Sequence, residues 1–155
     1  MELDWAKGDV ILLDGQEVAN AARSWFRERA EVQIGPELWQ YRSEGFGRGT
    51  LVAELDGVAR FSARRSGFFT STWTVDAGQP LELRQAGWFG SRLSLSRAGT
   101  TIGEASTSGI FTTRPRLVLS EPVEARAGCF VLWVAYVEFT RRQSSASSSS
   151  GGATG

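Results

Sequence analysis

The residues best suited to chemistry are four alternating side chains, Arg23, Trp25, Arg27 and Arg29. If this segment is a β-strand, these four side chains share one face and Phe26 lies on the other. Three guanidinium groups around an indole could bind a phosphate or a lipid headgroup, because arginine makes bidentate bonds to phosphate and tryptophan favours the membrane interface. The simpler interpretation is a solvated face on which arginine stacks on tryptophan, and the sequence favours it.

The rest of the chain offers little catalytic chemistry. It contains no His and a single Cys, which excludes His-dependent triads, His-ligated zinc and an internal disulfide framework. Cys129 lies in the most apolar stretch, where a thiol behaves as a small hydrophobic group with a raised pKa. Carboxylates are scattered, and Asp14 and Asp56 belong to turns. We therefore expect no metal, no cofactor and no catalytic residue, with an enzyme built on paired carboxylates as an alternative.

Composition and charge restrict the class of protein. A chain of 155 residues and 16.9 kDa fits one domain, and 41% hydrophobic with 22% charged residues is typical of a globular fold. Lys+Arg 17 against Asp+Glu 17 gives no net charge, which argues against specific nucleic-acid binding. The N-terminus is too polar for a signal peptide, and no apolar stretch approaches the ~20 residues that span a bilayer. We expect a cytoplasmic protein, with peripheral membrane association as an option.

Residues 9 to 119 show the period-two alternation of strands, for example Leu51, Ala53 and Leu55 on one face. Asp14-Gly15 and Asp56-Gly57 predict type I′ hairpin turns. Ten to twelve short strands without a helical period predict a sandwich or a barrel. The predicted strands are Val10–Leu13, Gln16–Ala19, Ala22–Arg29, Glu31–Ile34, Leu38–Arg42, Leu51–Leu55, Val58–Phe61, Thr70–Val75, Leu81–Gln85, Arg92–Ser96, Thr101–Ala105 and Arg116–Leu119.

The segment 122–140 decides the architecture. Ser120 and Pro122 suit a helix start, and Arg141-Arg142 suit a helix C-terminus. The apolar run from Ala127 to Val137 would make this helix apolar on every side, so it must be surrounded. The alternatives are one more strand, because valine and aromatic residues favour strands, or a tail anchor. We favour the helix, followed over 143–155 by a disordered Ser/Gly-rich tail.

The predicted helix and the predicted strands have matching lengths, and a barrel of these strands has room for the helix. A helix over residues 122 to 139 spans roughly 27 Å, which matches strands of six to eight residues. Twelve tilted strands close into a barrel with a backbone radius of roughly 12 Å, wide enough for a helix of ~10–12 Å diameter. The sequence therefore predicts a mainly β fold with one domain over residues 1–142, a closed antiparallel barrel of about twelve strands around a buried C-terminal helix.

Over residues 9 to 142 the chain resembles the tubby C-terminal-like superfamily, which includes phospholipid scramblases and plant LURP-one-related proteins. The resemblance lies in the successive hairpins, the turn and strand Gly99-Thr100-Thr101-Ile102-Gly103, and the apolar segment after Pro122. It implies a barrel closed around a hydrophobic helix and, for some members, membrane or phosphoinositide association. The superfamily's basic phosphoinositide pocket has no residue-by-residue counterpart in this chain, whose only lysine is Lys7.

These observations predict a non-enzymatic binding module. Its expected partner is an anionic lipid headgroup or membrane surface, contacted through Arg23, Trp25, Arg27 and Arg29. One alternative is a calycin-like carrier of small hydrophobic ligands, which requires an empty barrel interior. Another is a protein–protein interaction scaffold.

Overall fold

The computed structural model describes the backbone of residues 1–45, 49–67, 72–87, 92–109 and 111–152, with side chains as far as residue 146. Part of the predicted strand Thr70–Val75 lies outside these residues. The strands are β1 Glu2–Ala6, β2 Val10–Leu13, β3 Gln16–Ser24, β4 Arg29–Ile34, β5 Glu37–Glu44, β6 Thr50–Leu55, β7 Val58–Ser66, β8 Thr72–Asp76, β9 Pro80–Gln85, β10 Leu93–Arg97, β11 Thr100–Thr107 and β12 Pro115–Leu119. They are followed by one helix, α1 Ala125–Gly152.

The twelve strands form a closed antiparallel barrel in which each strand pairs with its neighbours in the chain. β1 closes the barrel by pairing with β12 as well as β2, with Leu3 opposite both Leu117 and Leu13. Because a closed barrel has no free strand edge, every strand finds a partner on both sides. The predicted fold class is confirmed.

The first half of helix α1 lies inside the barrel. Ala127 and every residue from Cys129 to Val137 are at most 2% exposed, and this run spans about three helical turns, so no face of the helix meets solvent. Contacts reach the wall on several sides: the Trp133 ring lies 5.4 Å from the Tyr41 ring on β5, and the Tyr136 ring lies 5.0 Å from the Trp5 ring on β1. The helix and the inward-facing strand residues form one hydrophobic core.

The two ends of the barrel differ. At the end where α1 begins, the strands are joined by short turns whose first residues, Asp14, Gly35, Asp56, Ala77 and Ala98, recur at equal intervals along the chain. We call this the turn end. Asp14 and Asp56 have φ of 49° and 54°, and the glycine after each also has positive φ, as the predicted type I′ turns require. At the opposite end, the loop end, the connections are residues 7–9, 25–28, 45–49, 67–71, 86–92 and 108–114.

Two strand predictions are wrong. Gln16–Ala19 and Ala22–Arg29 are not separate strands, because β3 runs unbroken to Ser24 and the chain then reverses. The reversal is built on residues 25–28, where Glu28 has φ of 47° and Ser24 pairs with Arg29 across the hairpin. Strand β1 was not predicted, since its outward acidic residues disfavour strands, but Leu3 and Trp5 point into the core and outweigh them.

The helix bounds also differ from the prediction of 122–140. The bond from the Gly128 amide to the Glu124 carbonyl is the first helical one, at 2.9 Å. Ser120 does not cap the helix. Its amide and its hydroxyl both donate to the Ile102 carbonyl, which extends the pairing of β11 with β12 by one residue. The backbone of α1 continues to Gly152, into the segment predicted as a tail, because extending an existing helix gains one bond per residue without a new nucleation cost.

Close packing of the backbone at two glycines can be tested by substituting each with alanine. A Cβ at Gly103 on β11 would lie 2.7 Å from the Val118 carbonyl oxygen, a backbone atom that cannot move away. A Cβ at Gly128 on α1 would meet the end of the Leu3 side chain at 2.5 Å, which can rotate. We expect Gly103→Ala to lower the free energy of unfolding by about 2–3 kcal/mol, as overpacking does.

The matched variant Gly128→Ala should cost less, because alanine improves helix propensity by about 1 kcal/mol and Leu3 can adjust. Urea denaturation followed by circular dichroism measures both. Equal stability of the Gly103→Ala variant and the parent chain would contradict the close strand packing at this position.

Candidate functional site

The four predicted site residues all lie at the loop end, but they do not share a strand face. Arg23 is in β3, Trp25 and Arg27 are in the reversal 25–28, and Arg29 begins β4. The predicted single face is therefore wrong, because the chain turns where the face would continue. The turn divides the four residues into separate surroundings.

Arg23 is part of a stacked cluster at the rim. Its Nε donates to Asp9 Oδ1 at 2.6 Å, and its guanidinium lies 5.5 Å from the Trp25 ring and 5.4 Å from the Tyr136 ring. The Trp25 and Tyr136 rings are 4.6 Å apart, and Asp9 Oδ1 also accepts from Trp5 Nε1 at 2.9 Å. The stacking of arginine on tryptophan that the sequence favoured is therefore present at Arg23, where it joins the rim to α1.

Arg27 lines a groove between the reversal 25–28 and the emerging helix, and Trp25, which belongs to the rim cluster, also lines this groove. The groove has a volume of about 930 Å³. One wall is the reversal, which supplies four consecutive residues, and the other is α1. The lining residues are Trp25, Phe26, Arg27, Glu28, Ser43, Arg65, Thr140, Arg141, Ser144 and Ser145. Arg29 is exposed at the start of β4 and does not line it.

An ion pair ties the helix to the reversal across this groove. Arg141 Nε donates to Glu28 Oε2 at 2.7 Å, and its second nitrogen donates to Oε1 at 2.9 Å. Both side chains are 14% exposed, and the guanidinium lies 5.6 Å from the Trp73 ring. The bidentate geometry and the partial burial make this one of the stronger kinds of ion pair.

Glu138 is the buried carboxylate of the site, at 1% exposure. It accepts from Trp73 Nε1 at 3.0 Å, Arg142 Nε at 3.0 Å and Arg65 Nε at 3.4 Å. Burial alone would raise its pKa, but the charges of Arg142 and Arg65 and the bonds from Trp73 and Arg142 outweigh burial and lower the pKa. Glu138 therefore remains charged at neutral pH.

The groove carries an excess of positive charge. Glu28 is held by Arg141 and Glu138 by Arg65 and Arg142, whereas Arg27 makes no ion pair among the described residues. The residues outside the described ranges include no Asp or Glu in the sequence.

Charge is divided between the two ends of the barrel, although the chain has no net charge. Each end comprises its connections, the two strand residues on either side and the adjoining turn of α1. Among the described residues, the turn end has the acidic residues Glu2, Asp14, Glu17, Glu37, Glu54, Asp56, Asp76, Glu121 and Glu124 against Arg97 and Arg126. The loop end has Lys7, Arg23, Arg27, Arg29, Arg65, Arg84, Arg92, Arg114, Arg116, Arg141 and Arg142 against Asp9, Glu28, Glu44 and Glu138. Three of these cations form ion pairs with carboxylates outside the loop end: Arg84 with Glu82, Arg92 with Glu104 and Arg116 with Glu2.

At the turn end the charges serve the helix start. Arg126 donates to Glu37 Oε1 at 2.5 Å and to Glu124 Oε1 at 2.8 Å, which offsets an unfavourable cation near the helix N-terminus. The bond from Arg126 lowers the pKa of Glu37. Glu37, Glu124 and Arg126 line a hollow of about 450 Å³ beside Trp39 and Phe61. Their charges are already paired with one another.

Ser43, Arg65, Thr140 and Arg141 were not predicted as site residues. Ser43, Arg65 and the adjacent pair Thr140 and Arg141 lie in three distant parts of the sequence, and only the directions of the strands and of α1 bring them to one end. The sequence did contain one signal. In an antiparallel barrel, successive connections lie alternately at the two ends, so the order of the loops along the chain predicts which of them share an end.

Cys129 is buried, and burial raises its pKa to about 12, so the thiol stays neutral as predicted. Within the described ranges, no group of three or more His, Cys, Asp or Glu side chains could hold a metal ion. Nor does any helix in the described part of the chain have the length and apolarity to cross a membrane. No protein-family model, curated protein or solved structure matches this sequence.

The Glu138 contacts predict a pH-dependent contribution to stability. Glu138→Gln should lower the free energy of unfolding by about 2 kcal/mol at neutral pH, because Arg65 and Arg142 lose their shared anion. Since the folded-state pKa is lowered, the contribution is complete above the ordinary pKa of about 4.3 and is lost as the pH falls through the folded-state value.

Denaturation with urea at several pH values measures this difference. Glu44→Gln, at the same end but exposed and 3.9 Å from Arg42, is the matched control and should change stability little. A difference between Glu138→Gln and the parent chain that grows in acid would contradict the assignment.

Proposed function

We propose that the protein is a non-enzymatic binding module that associates with anionic membrane surfaces through its loop end. The observation that carries this proposal is the division of charge between the two ends of the barrel. A basic end and an acidic end orient the molecule in the field of an anionic surface, with the loop end facing it. A basic residue near such a surface contributes about 1 kcal/mol, and the contribution decreases over roughly 8 Å at physiological salt.

Exposed aromatic residues at the same end support a lipid surface. Phe26 is 94% exposed in the reversal 25–28, and Phe111 is 96% exposed in the connection 108–114. Leaving two phenyl rings in water is unfavourable, whereas aromatic rings beside cations suit a membrane interface.

The carrier alternative is less compatible with the geometry. A carrier needs an open interior, and the interior here is occupied by α1 from Ala127 to Val137. A protein scaffold remains the second candidate, because a basic rim also fits an acidic protein. The barrel around a C-terminal helix is the plan expected from the tubby-like resemblance, and we propose that the chain is a divergent member of that superfamily.

Vesicle flotation tests the proposal. The protein should float with vesicles that contain an anionic lipid, remain unbound with neutral vesicles, and dissociate as salt is raised. Arg27→Glu at the loop end should reduce binding severalfold. Arg60→Glu, which changes the net charge equally at an exposed position near the turn end, should leave binding unchanged.

Two results would contradict the proposal. One is the absence of binding to anionic vesicles at low salt. The other is an equal loss of binding in Arg27→Glu and Arg60→Glu, since this would show that net charge rather than the loop end determines association.

A further inference from the structure

The groove at the loop end presents mainly hydrogen-bond donors and hydroxyl groups. On α1, Thr140 and Ser144 are four residues apart, as are Arg141 and Ser145, so these side chains lie on one helix face. Arg27 in the reversal and Arg65 at the end of β7 also line the groove. The one carboxylate in the lining, Glu28, has both oxygens bonded to Arg141.

One polar atom of a residue that lines this groove, Thr140 Oγ1, is buried without a hydrogen-bond partner among the described residues. A buried polar atom that is left unpaired costs about 1–3 kcal/mol, so native structures nearly always satisfy it. A threonine hydroxyl can donate a hydrogen bond as well as accept one. The oxygen atoms of an anion would satisfy this hydroxyl and balance the charge of Arg27, which makes no ion pair among the described residues.

We propose that the groove binds a phosphomonoester group. Arg27 and Arg65 bind the phosphate oxygens, Thr140 Oγ1 donates to one of them, and Trp25 forms an apolar wall. Guanidinium groups suit phosphate because their donors match two of its oxygens at once. The groove volume of about 930 Å³ leaves room for a substituent on the phosphate.

This inference refines the proposed function and rests on it for the source of the phosphate. A lipid headgroup and a soluble phosphomonoester share the chemistry, and the two arms of the experiment distinguish them. The site also differs from the four residues predicted from sequence, because Arg23 is bonded to Asp9 and Arg29 lies outside the groove.

The first arm titrates the whole protein with inorganic phosphate and with glycerol phosphate at constant ionic strength. The melting temperature should rise saturably, because a ligand that binds only the folded state stabilises it. Tryptophan fluorescence, to which Trp25 in the groove wall contributes, should change over the same range. Arg27→Gln should weaken binding about tenfold, since a hydrogen bond to a charged group is worth about that factor. Arg29→Gln is the matched control and should bind like the parent chain.

Thr140 provides a test that separates binding from folding. Thr140→Val removes a hydroxyl without a partner, so the melting temperature without phosphate should not fall, yet phosphate binding should weaken severalfold. Thr140→Ser should restore the binding. No saturable response to either phosphate, or equal losses in Arg27→Gln and Arg29→Gln, would overturn the proposed site.

The second arm compares vesicles of phosphatidic acid, a phosphomonoester, with vesicles of phosphatidylglycerol, a phosphodiester. A preference for phosphatidic acid that is lost in Thr140→Val supports a lipid headgroup as the source. Saturable binding of glycerol phosphate without this preference supports a soluble phosphomonoester. A third outcome is that the protein floats with both lipids, that Thr140→Val does not change this flotation, and that neither phosphate has an effect. This outcome would contradict the groove site but not the proposed association of the loop end with anionic membranes.

Discussion

The enclosure of an apolar helix determines the rest of the structure. From Ala127 to Val137, α1 has no polar face that could tolerate water, so the chain must surround it, and only a closed sheet does so without leaving a strand edge. The large side chains of the helix, Phe130, Trp133 and Tyr136, contact rings on the barrel wall. Each fully buried aromatic side chain contributes roughly 1.5–3 kcal/mol or more, and these contacts fix the position of the helix along the axis.

The helix also makes the two ends of the barrel unequal. It enters through the turn end, where short turns join the strands and Arg126 bonds to Glu37 and Glu124, and it leaves through the loop end, where most connections are longer. At the loop end the helix becomes polar at Glu138, and the charges there must be compensated by the rim, through Arg65 and the Glu28–Arg141 pair. The concentration of arginine at this end thus has a structural part, whereas Arg27 makes no ion pair among the described residues and Phe26 and Phe111 are exposed. These three residues support the proposed membrane association.

Much of the fold follows from local sequence pattern. Period-two alternation and the Asp14-Gly15 and Asp56-Gly57 turns predict the hairpins, and the all-round apolarity of Ala127–Val137 predicts the central helix. Strand β1 could not be predicted because its pairing with β12, which places Leu3 opposite Leu117, joins the two ends of the sheet and is not local. The reversal 25–28 could not be predicted because the alternation of side chains continues through it, and no Asp-Gly pair marks the turn. The site could not be predicted, since pairs such as Glu28 with Arg141 meet only through the topology of the whole barrel.

The enclosed helix can be tested directly through the single thiol. Cys129 is 0% exposed on α1, so a disulfide reagent can reach it only when the barrel opens. We predict that the rate of Cys129 modification, measured across a denaturant series, follows the global unfolding equilibrium observed by circular dichroism. Rapid modification under native conditions, at a rate independent of denaturant, would contradict the enclosure of the helix.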